Sequence, residues 1–375
     1  MKIKNLLVIF IILIPGLSLA QEVAPDSINP EVFSAKVINI LDEQEITGEN
    51  GVSRTKQKVE LLGLDGDYKD KKVIYDGMQI NVLSDVIYQE GDKVRLNVTT
   101  NIDGEEMFFI EDFIRTNNIY LLVGLFILVT IIIGRWKGLT ALIGLGITFF
   151  IILKMILPLI VAGHNPILVT IGGAILIMMT TLYIVHGFNK KTTAAVFGTI
   201  IGLFIISFIS WLFTELTKLT GLAAEESLFI IDVLGVQLNM KGILLAGMII
   251  GALGVLDDIT IGQASAVQQI KETNPKLSIK QVYKRAMKVG VDHVGSIVNT
   301  LFLAYAGSSI ALLLLFQANQ PPFTDFSHII NHGVIAEEIV RAICGSIGLI
   351  VIVPIITLIA AFMFDKNKKR KLTAS

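Results

Sequence analysis

The 375-residue chain carries two different hydrophobic patterns. Between Gln21 and Thr116 apolar and polar residues alternate in short runs: VFSAKVINIL, RTKQKVELLGL, KKVIYDGMQINVL, GDKVRLNVTT and EEMFFIEDF. Turn clusters such as LDGDYKD and NIDGEE separate them. Alternation with a period of two marks half-buried strands, so this segment predicts a small antiparallel barrel or sandwich. From Asn117 the pattern changes to apolar blocks, several of them reaching the roughly 20 residues that cross a bilayer. They predict about seven spans, near 118–134, 139–161, 166–186, 192–214, 240–258, 290–316 and 336–364. Between the fourth and fifth, SLFIIDVLGVQLNM is too short to cross and predicts an interfacial or re-entrant segment.

Composition agrees. Hydrophobic residues make up 53% and charged residues 17%, where a soluble domain carries about 25% charged. The expected fold is a polytopic α-helical membrane protein of about seven transmembrane helices with a small extracytoplasmic all-β domain. The N-terminus fits export: Lys2 and Lys4 precede an apolar run from Leu6 to Ile14, then Pro15-Gly16 and Ser18-Leu19-Ala20. This is a signal peptide with a cleavage site after Ala20, or an uncleaved signal anchor. The expected division is 1–20 signal, 21–116 β-rich domain, 117–364 helical membrane domain and 365–375 basic cytoplasmic tail.

Charge then orients the chain. Arg135 and Lys137, Lys190 and Lys191, the loop KETNPKLSIKQVYKRAMK and the tail DKNKKRK all fall on one side of the predicted layout. Glu215, Glu225, Glu226, Asp325 and Glu337 fall on the other. The basic side is cytoplasmic by the positive-inside rule, which puts residues 21–116 outside. In that outer segment acids exceed bases by about ten, which excludes nucleic acid as a partner. The turn from Asp65 to Asp70 has the acidity of a calcium loop, but Lys69 stands where a ligand is needed. A plain turn is expected there. The single cysteine, Cys344, excludes an intrachain disulfide and reads as a small packing residue. No Walker A motif is present, and no cofactor is expected.

The candidate chemistry lies where the fifth span ends, in GALGVLDDITIGQASAV. Asp257 and Asp258 stand together there. Helical steps of three and four align Gly247, Gly251, Gly254, Asp258, Gly262 and Ser265 on one stripe. Small residues on a stripe let membrane helices approach closely, so Asp258 is expected to point into the tightest helix contact. Asp257, about 100° round the helix, neighbours Thr260 and Ile261. Gln263 follows on the same segment. The alternative is that both carboxylates mark the water boundary and cap the next segment.

The predicted sixth span, VGVDHVGSIVNTLFLAYAGSS, aligns Asp292, Ser296 and Asn299 on one stripe and His293, Ser296 and Thr300 on the next. Polar groups that deep need partners, and the fifth-span stripe is the expected one. Beside a carboxylate pair, His293 reads as a proton relay. Helix–helix adhesion without transport is the alternative. The seventh span opens on Glu337, Glu338 and Arg341, where the i,i+4 spacing of Glu337 and Arg341 predicts a self-contained outer ion pair. Pro354 predicts a kink, and Lys154 in the second span is expected to snorkel outward.

The blocks GALGVLDDITIGQASAV, DHVGSIVNTLFLAYAGSS and EEIVRAICGSIGLIVIVPIIT, in that order, resemble the signatures of YibE/F-like bacterial membrane proteins. The resemblance covers nearly the whole chain. It implies an integral protein of the bacterial plasma (inner) membrane, with no established substrate and no catalytic residues to carry over. GVLDDITIGQASAVQQIKE followed by GSIVNTLFLAYAGSS is also similar, more weakly, to paired segments of SecD/SecF and RND-type permeases. Their Thr-Thr-Leu-like motif reads Asn299-Thr300-Leu301 here.

Three functions fit these features. The leading one is a membrane permease or transporter component, not an enzyme, coupled to protons through Asp257, Asp258, Asp292 and His293. The second is a non-transporting scaffold or sensor whose outer domain binds an envelope partner. The third is a Mg-dependent enzyme acting on lipid phosphates, disfavoured because no second Asp-rich block accompanies DDITIG. The expected partners are the lipid bilayer, protons or a small solute, and a second copy or another membrane subunit.

Overall fold

The computed structural model describes residues 31–47, 53–78, 86–101, 104–234, 238–318 and 325–365. The expected signal at 1–20 and the basic tail after Asp365 lie outside the described residues. The chain divides into two compact units, residues 1–132 and 133–375.

Among its described residues the first unit holds five antiparallel strands: β1 (Glu31–Thr47), β2 (Ser53–Gly63), β3 (Lys72–Asp76), β4 (Lys93–Thr100) and β5 (Glu106–Phe113). Their order in the sheet is β3-β2-β1-β4-β5. The long β1 serves both halves: Glu31–Lys36 pair with β4, while Ala35–Thr47 pair with β2. Register shifts between Val37 and Asn39 and between Ile40 and Asp42 bend it, as bulges do. The sheet curls until the edge strands β3 and β5 approach one another. The alternating residues Phe33, Ala35, Val37, Val59, Leu61, Val94 and Leu96 fill its concave side. The antiparallel β segment is therefore as the alternation predicts, built as one curled sheet.

The acidic turn is structural. Asp65 Oδ1 accepts the Ser34 backbone N–H at 2.6 Å, and Gly66–Tyr68 form a short 3-10 turn. That turn stacks Tyr68 on Phe33, ring centroids 4.5 Å apart. Gly63 permits it, because a Cβ there would overlap the Tyr68 carbonyl. Burial, then the nearby Tyr75 and Asp112, push the Tyr88 hydroxyl up to about 12. A hydrogen bond from Arg115 holds the Asp112 carboxyl below the usual carboxylate range.

The rest is helical: α1 (Thr116–Ile151), α2 (Leu157–Val161), α3 (Pro166–His186), α4 (Lys190–Leu216), α5 (Glu225–Leu234), α6 (Met240–Thr273), α7 (Ile279–Ser308), α8 (Ile310–Ala318), α9 (Phe326–Asn331) and α10 (Gly333–Met363). Among the described residues five helical segments are long and apolar enough to cross a membrane: Thr116–Val161, Pro166–His186, Lys190–Leu216, Met240–Thr273 and Gly333–Met363. The first is broken at Arg135 (φ 49°, ψ −129°), between the first two predicted spans. A π-helical turn, Ile152–Ile156, leads into α2, whose Pro158 lacks the N–H that a regular helix would return to Lys154. Lys154 itself is exposed. The sixth predicted span falls within α7 and α8. Ser278 and Gln281 form a capping box that starts α7 well before the predicted edge at 290.

Within the second unit α6 packs against α3, α4, α7 and α10. At one end of the unit Lys241 bonds Glu215 at 3.1 Å, and Glu337 accepts the backbone N–H groups of Gly221 and Ala223. At the other end Lys190 donates to the Met363 carbonyl at 3.2 Å. There, too, Lys271 donates to the Leu277 carbonyl at 2.6 Å and reaches Asp365 at 3.4 Å. These ties make α6 and α10 parallel to each other and antiparallel to α4.

Candidate functional site

The face that α6 buries is not its glycine stripe. Leu253, Leu256, Thr260, Gln263 and Val267 are buried, whereas Gly247, Gly251, Gly254 and Asp258 are exposed and Gly262 and Ser265 partly so. A Cβ on Gly254 would meet nothing within 4 Å. The close helix approach uses other glycines. A Cβ on Gly198 of α4 would lie 2.8 Å from Ile356 Cδ1, and one on Gly202 would lie 2.7 Å from Leu256 Cδ1. Expecting Asp258 inside the tightest contact is thus corrected. The side chains of Leu256 and Ile356 outweigh small size in deciding which face turns inward, because burying each contributes about 1.5–3 kcal/mol.

The inward carboxylate is Asp257. Its side chain lies near Thr199 of α4, and its Oδ1 is buried without a partner. Thr199 Oγ1 and Thr260 Oγ1, both fully buried, are 2.7 Å apart. Thr260 also reaches the Asp257 carbonyl at 3.1 Å. The two hydroxyls share one hydrogen bond in which either can be the donor, since each supplies one donor and two acceptor positions. Asp258, next door, lies within electrostatic reach of His186, which in turn senses Lys137 and Lys191. Neither Thr199 nor His186 was singled out from the sequence. Thr199 is one hydroxyl in an apolar helix, and only the α4–α6 register brings it to Asp257.

Gln263 is a junction between three helices. Its amide nitrogen donates to the Ala286 carbonyl of α7 at 2.9 Å and to Thr357 Oγ1 of α10 at 2.7 Å. Thr357 in turn donates to Val353 at 2.6 Å, just before Pro354.

The sixth-span candidates are placed differently from expectation. Asp292, His293, Ser296, Asn299 and Thr300 are all exposed. Among the described residues no hydrogen bond joins them to Asp257 or Asp258, and Thr300 donates to Ser296 of its own helix. Helix α7 turns Val282, Ala286, Gly290 and Leu301 inward instead. His293 alone borders the glycine face, its Cε1 3.6 Å from a Cβ position on Gly262. The outer cluster is also rearranged. Arg341 pairs with Glu338 at 3.5 Å, while the buried Glu337 holds the Gly221–Ala223 backbone. The loop's N–H groups supply Glu337's hydrogen bonds, while Arg341 stays within electrostatic reach of it.

The exposed glycine face runs between two polar ends. Arg341 Nη1 lies 3.9 Å from a Cβ position on Gly247, and the Tyr305 hydroxyl lies 3.0 Å from one on Gly251. Asp258 and His293 flank the other end. No match was found among curated proteins, nor among solved structures. A family model described as YibE/F-like protein matches residues 122–366, which hold every residue of this site. By that match, over well more than half its length, the chain belongs to the YibE/F-like family.

Proposed function

We propose that this multi-pass membrane protein is a permease or transporter component, coupled to protons through Asp257, and that it is not an enzyme. One observation carries the reading: a buried carboxylate oxygen of Asp257 without a partner, set beside the buried Thr199–Thr260 hydroxyl pair. A carboxylate set among apolar helices is costly, and function is the default reason to keep one. The solute is proposed to follow the glycine face of α6, with Asp258 and His186 passing protons to and from the end rich in lysine. The bilayer is the immediate partner, and a second copy or another membrane subunit is a further one.

The same reading includes seven spans, counting the two parts of the first segment separately and α7 with α8 as one. It places the protein in the bacterial plasma membrane, residues 21–116 outside and the C-terminus in the cytoplasm. The clustering of Lys190, Lys191 and Lys271 at one end of the helical unit, opposite Glu215 and Glu337, supports this orientation. One observation favours the runner-up, a scaffold: the α4, α6 and α10 contacts beside Asp257 are close-packed hydrocarbon.

The test uses full-length protein in liposomes holding an internal pH dye, challenged with the small-molecule fraction of a bacterial extract. Solute-dependent proton movement is expected from the wild type, in part from Asp257→Glu, and not from Asp257→Asn. Asp258→Asn should slow it. A wild type that moves no protons at normal incorporation overturns the permease reading. Full flux through Asp257→Asn removes Asp257 from it.

A further inference from the structure

The outer end of the glycine face has its own unexplained chemistry. Arg341 and Glu338 sit one turn apart on α10, each side chain only about a quarter exposed (26% and 27%). Their closest approach, Nη2 to Oε1, is 3.5 Å. A closed charge-assisted pair is about 2.7–2.9 Å, so two partly desolvated charges face each other without closing. Arg341 Nε is buried with no partner. Glu337, whose carboxylate accepts the Gly221 and Ala223 backbone N–H groups, lies within electrostatic reach of Arg341 but gives its Nε no hydrogen bond. Partial burial of unclosed charges is unfavourable unless something else supplies the missing bonds.

Two other helices complete the surroundings. Tyr305 of α7 lies within electrostatic reach of both Arg341 and Glu338. Gly247 and Gly251 of α6 face the same space, and their missing side chains leave room for Arg341 Nη1 and the Tyr305 hydroxyl. Three helices thus bring Arg341, Glu338 and the Tyr305 hydroxyl together beside Gly247 and Gly251, with Glu337 also in electrostatic reach of Arg341.

The geometry points to a binding site for a small zwitterion carrying a carboxylate and an ammonium group, the chemistry of an amino acid. The carboxylate lies on the Arg341 fork, the ammonium on Glu338, and the Tyr305 hydroxyl bonds the carboxylate. A simple anion would be repelled by Glu338 and a simple cation by Arg341; a zwitterion offsets both. The short floor between Gly247 and Gly251 limits it to small side chains. The assignment rests on the permease reading in naming this molecule as the solute carried, but binding itself does not require transport.

The experiment is thermal stabilisation of the full-length protein in detergent, titrated with L-alanine, L-serine, alaninamide and propionate. Alaninamide lacks the carboxylate and propionate lacks the ammonium. The two amino acids should give a saturable rise in Tm, and the two truncated probes none at equal concentration. Arg341→Gln and Glu338→Gln should each weaken the apparent affinity at least about tenfold, as expected for losing a hydrogen bond to a charged group. Arg341→Lys, which keeps the charge and is the milder change for folding, should still weaken it. Gly251→Ala should weaken it by crowding Tyr305, while Gly254→Ala should not. No saturable shift with either amino acid, or an equal shift with propionate, overturns the assignment. So does wild-type affinity in Arg341→Gln or Arg341→Lys. Binding without proton coupling in liposomes would leave this site standing and remove the permease reading. Proton coupling to extract without amino-acid binding would do the reverse.

Discussion

Replacing two glycines by alanine separates the packed face of the helical unit from its open one. At Gly198 the added methyl would lie 2.8 Å from Ile356 Cδ1 and 3.2 Å from both its Cβ and Cγ1. The Cβ contact cannot be relieved by a rotamer change, so α4 and α10 must part slightly. Overpacking of this kind costs about 1–3 kcal/mol. Alanine in place of glycine inside a helix returns roughly 0.5–1 kcal/mol. Gly198→Ala should therefore destabilise by a net ~0–2.5 kcal/mol, with the middle of that range expected because the Cβ contact is rigid. At Gly254 nothing lies within 4 Å of the new methyl, so only the helix term remains, and Gly254→Ala should be neutral or stabilising by about 0.5–1 kcal/mol. Equilibrium unfolding in mixed micelles with increasing SDS measures both. Ile356→Ala supplies the control. Alone it should cost ~2–5 kcal/mol for the cavity, and combined with Gly198→Ala the loss should fall short of the sum by about 1 kcal/mol. If Gly254→Ala destabilises as much as Gly198→Ala, the glycine face is packed rather than open, and the proposed solute path is wrong.

Lys271→Met should destabilise by roughly 1–3 kcal/mol, because it leaves the buried Leu277 carbonyl without the donor that Lys271 supplies; the same SDS titration checks it, and an unchanged midpoint would show that the tie is idle. Residues 21–116 expressed alone should give a β-type circular dichroism spectrum and a cooperative melt, and a disordered spectrum would refute an independent β unit. In that fragment burial raises the Tyr88 hydroxyl from the usual phenol range to about 12. The stability it contributes is full below pH ~10 and lost as the pH rises from ~10 towards ~12, so Tyr88→Phe should flatten the alkaline loss of stability in pH-dependent melts. On a Cys344→Ala background, cysteines at Ser53 and Thr220 should react with an impermeant thiol reagent on intact cells, while one at Ser278 should react only after permeabilisation. Labelling of Ser278 in intact cells would reverse the proposed orientation.

The sequence by itself determined what depends on pattern along one chain. Alternation marked the strands, and uninterrupted apolar length marked the helices, because burial of one face or all faces is written directly in residue order. It also located the Asp257–Asp258 pair, since a carboxylate among apolar residues is conspicuous in any register. Which of the two faces inward was not legible. That depended on how α4 and α10 lie against α6, where Gly198, Gly202 and Gly348 admit Ile356, Leu256 and Ile206. The stripe from Gly247 to Ser265 met the small-residue rule equally well, but spacing within one helix says nothing about which neighbour arrives. The partners of Asp257 and Arg341 were hidden for the same reason. Thr199 lies 58 positions before Asp257, and the Gly221–Ala223 backbone that hydrogen-bonds Glu337 carries no side-chain signal at all. Tertiary contact decided those pairings, because hydrogen bonds and close packing act over a few ångströms of space and are indifferent to distance along the chain.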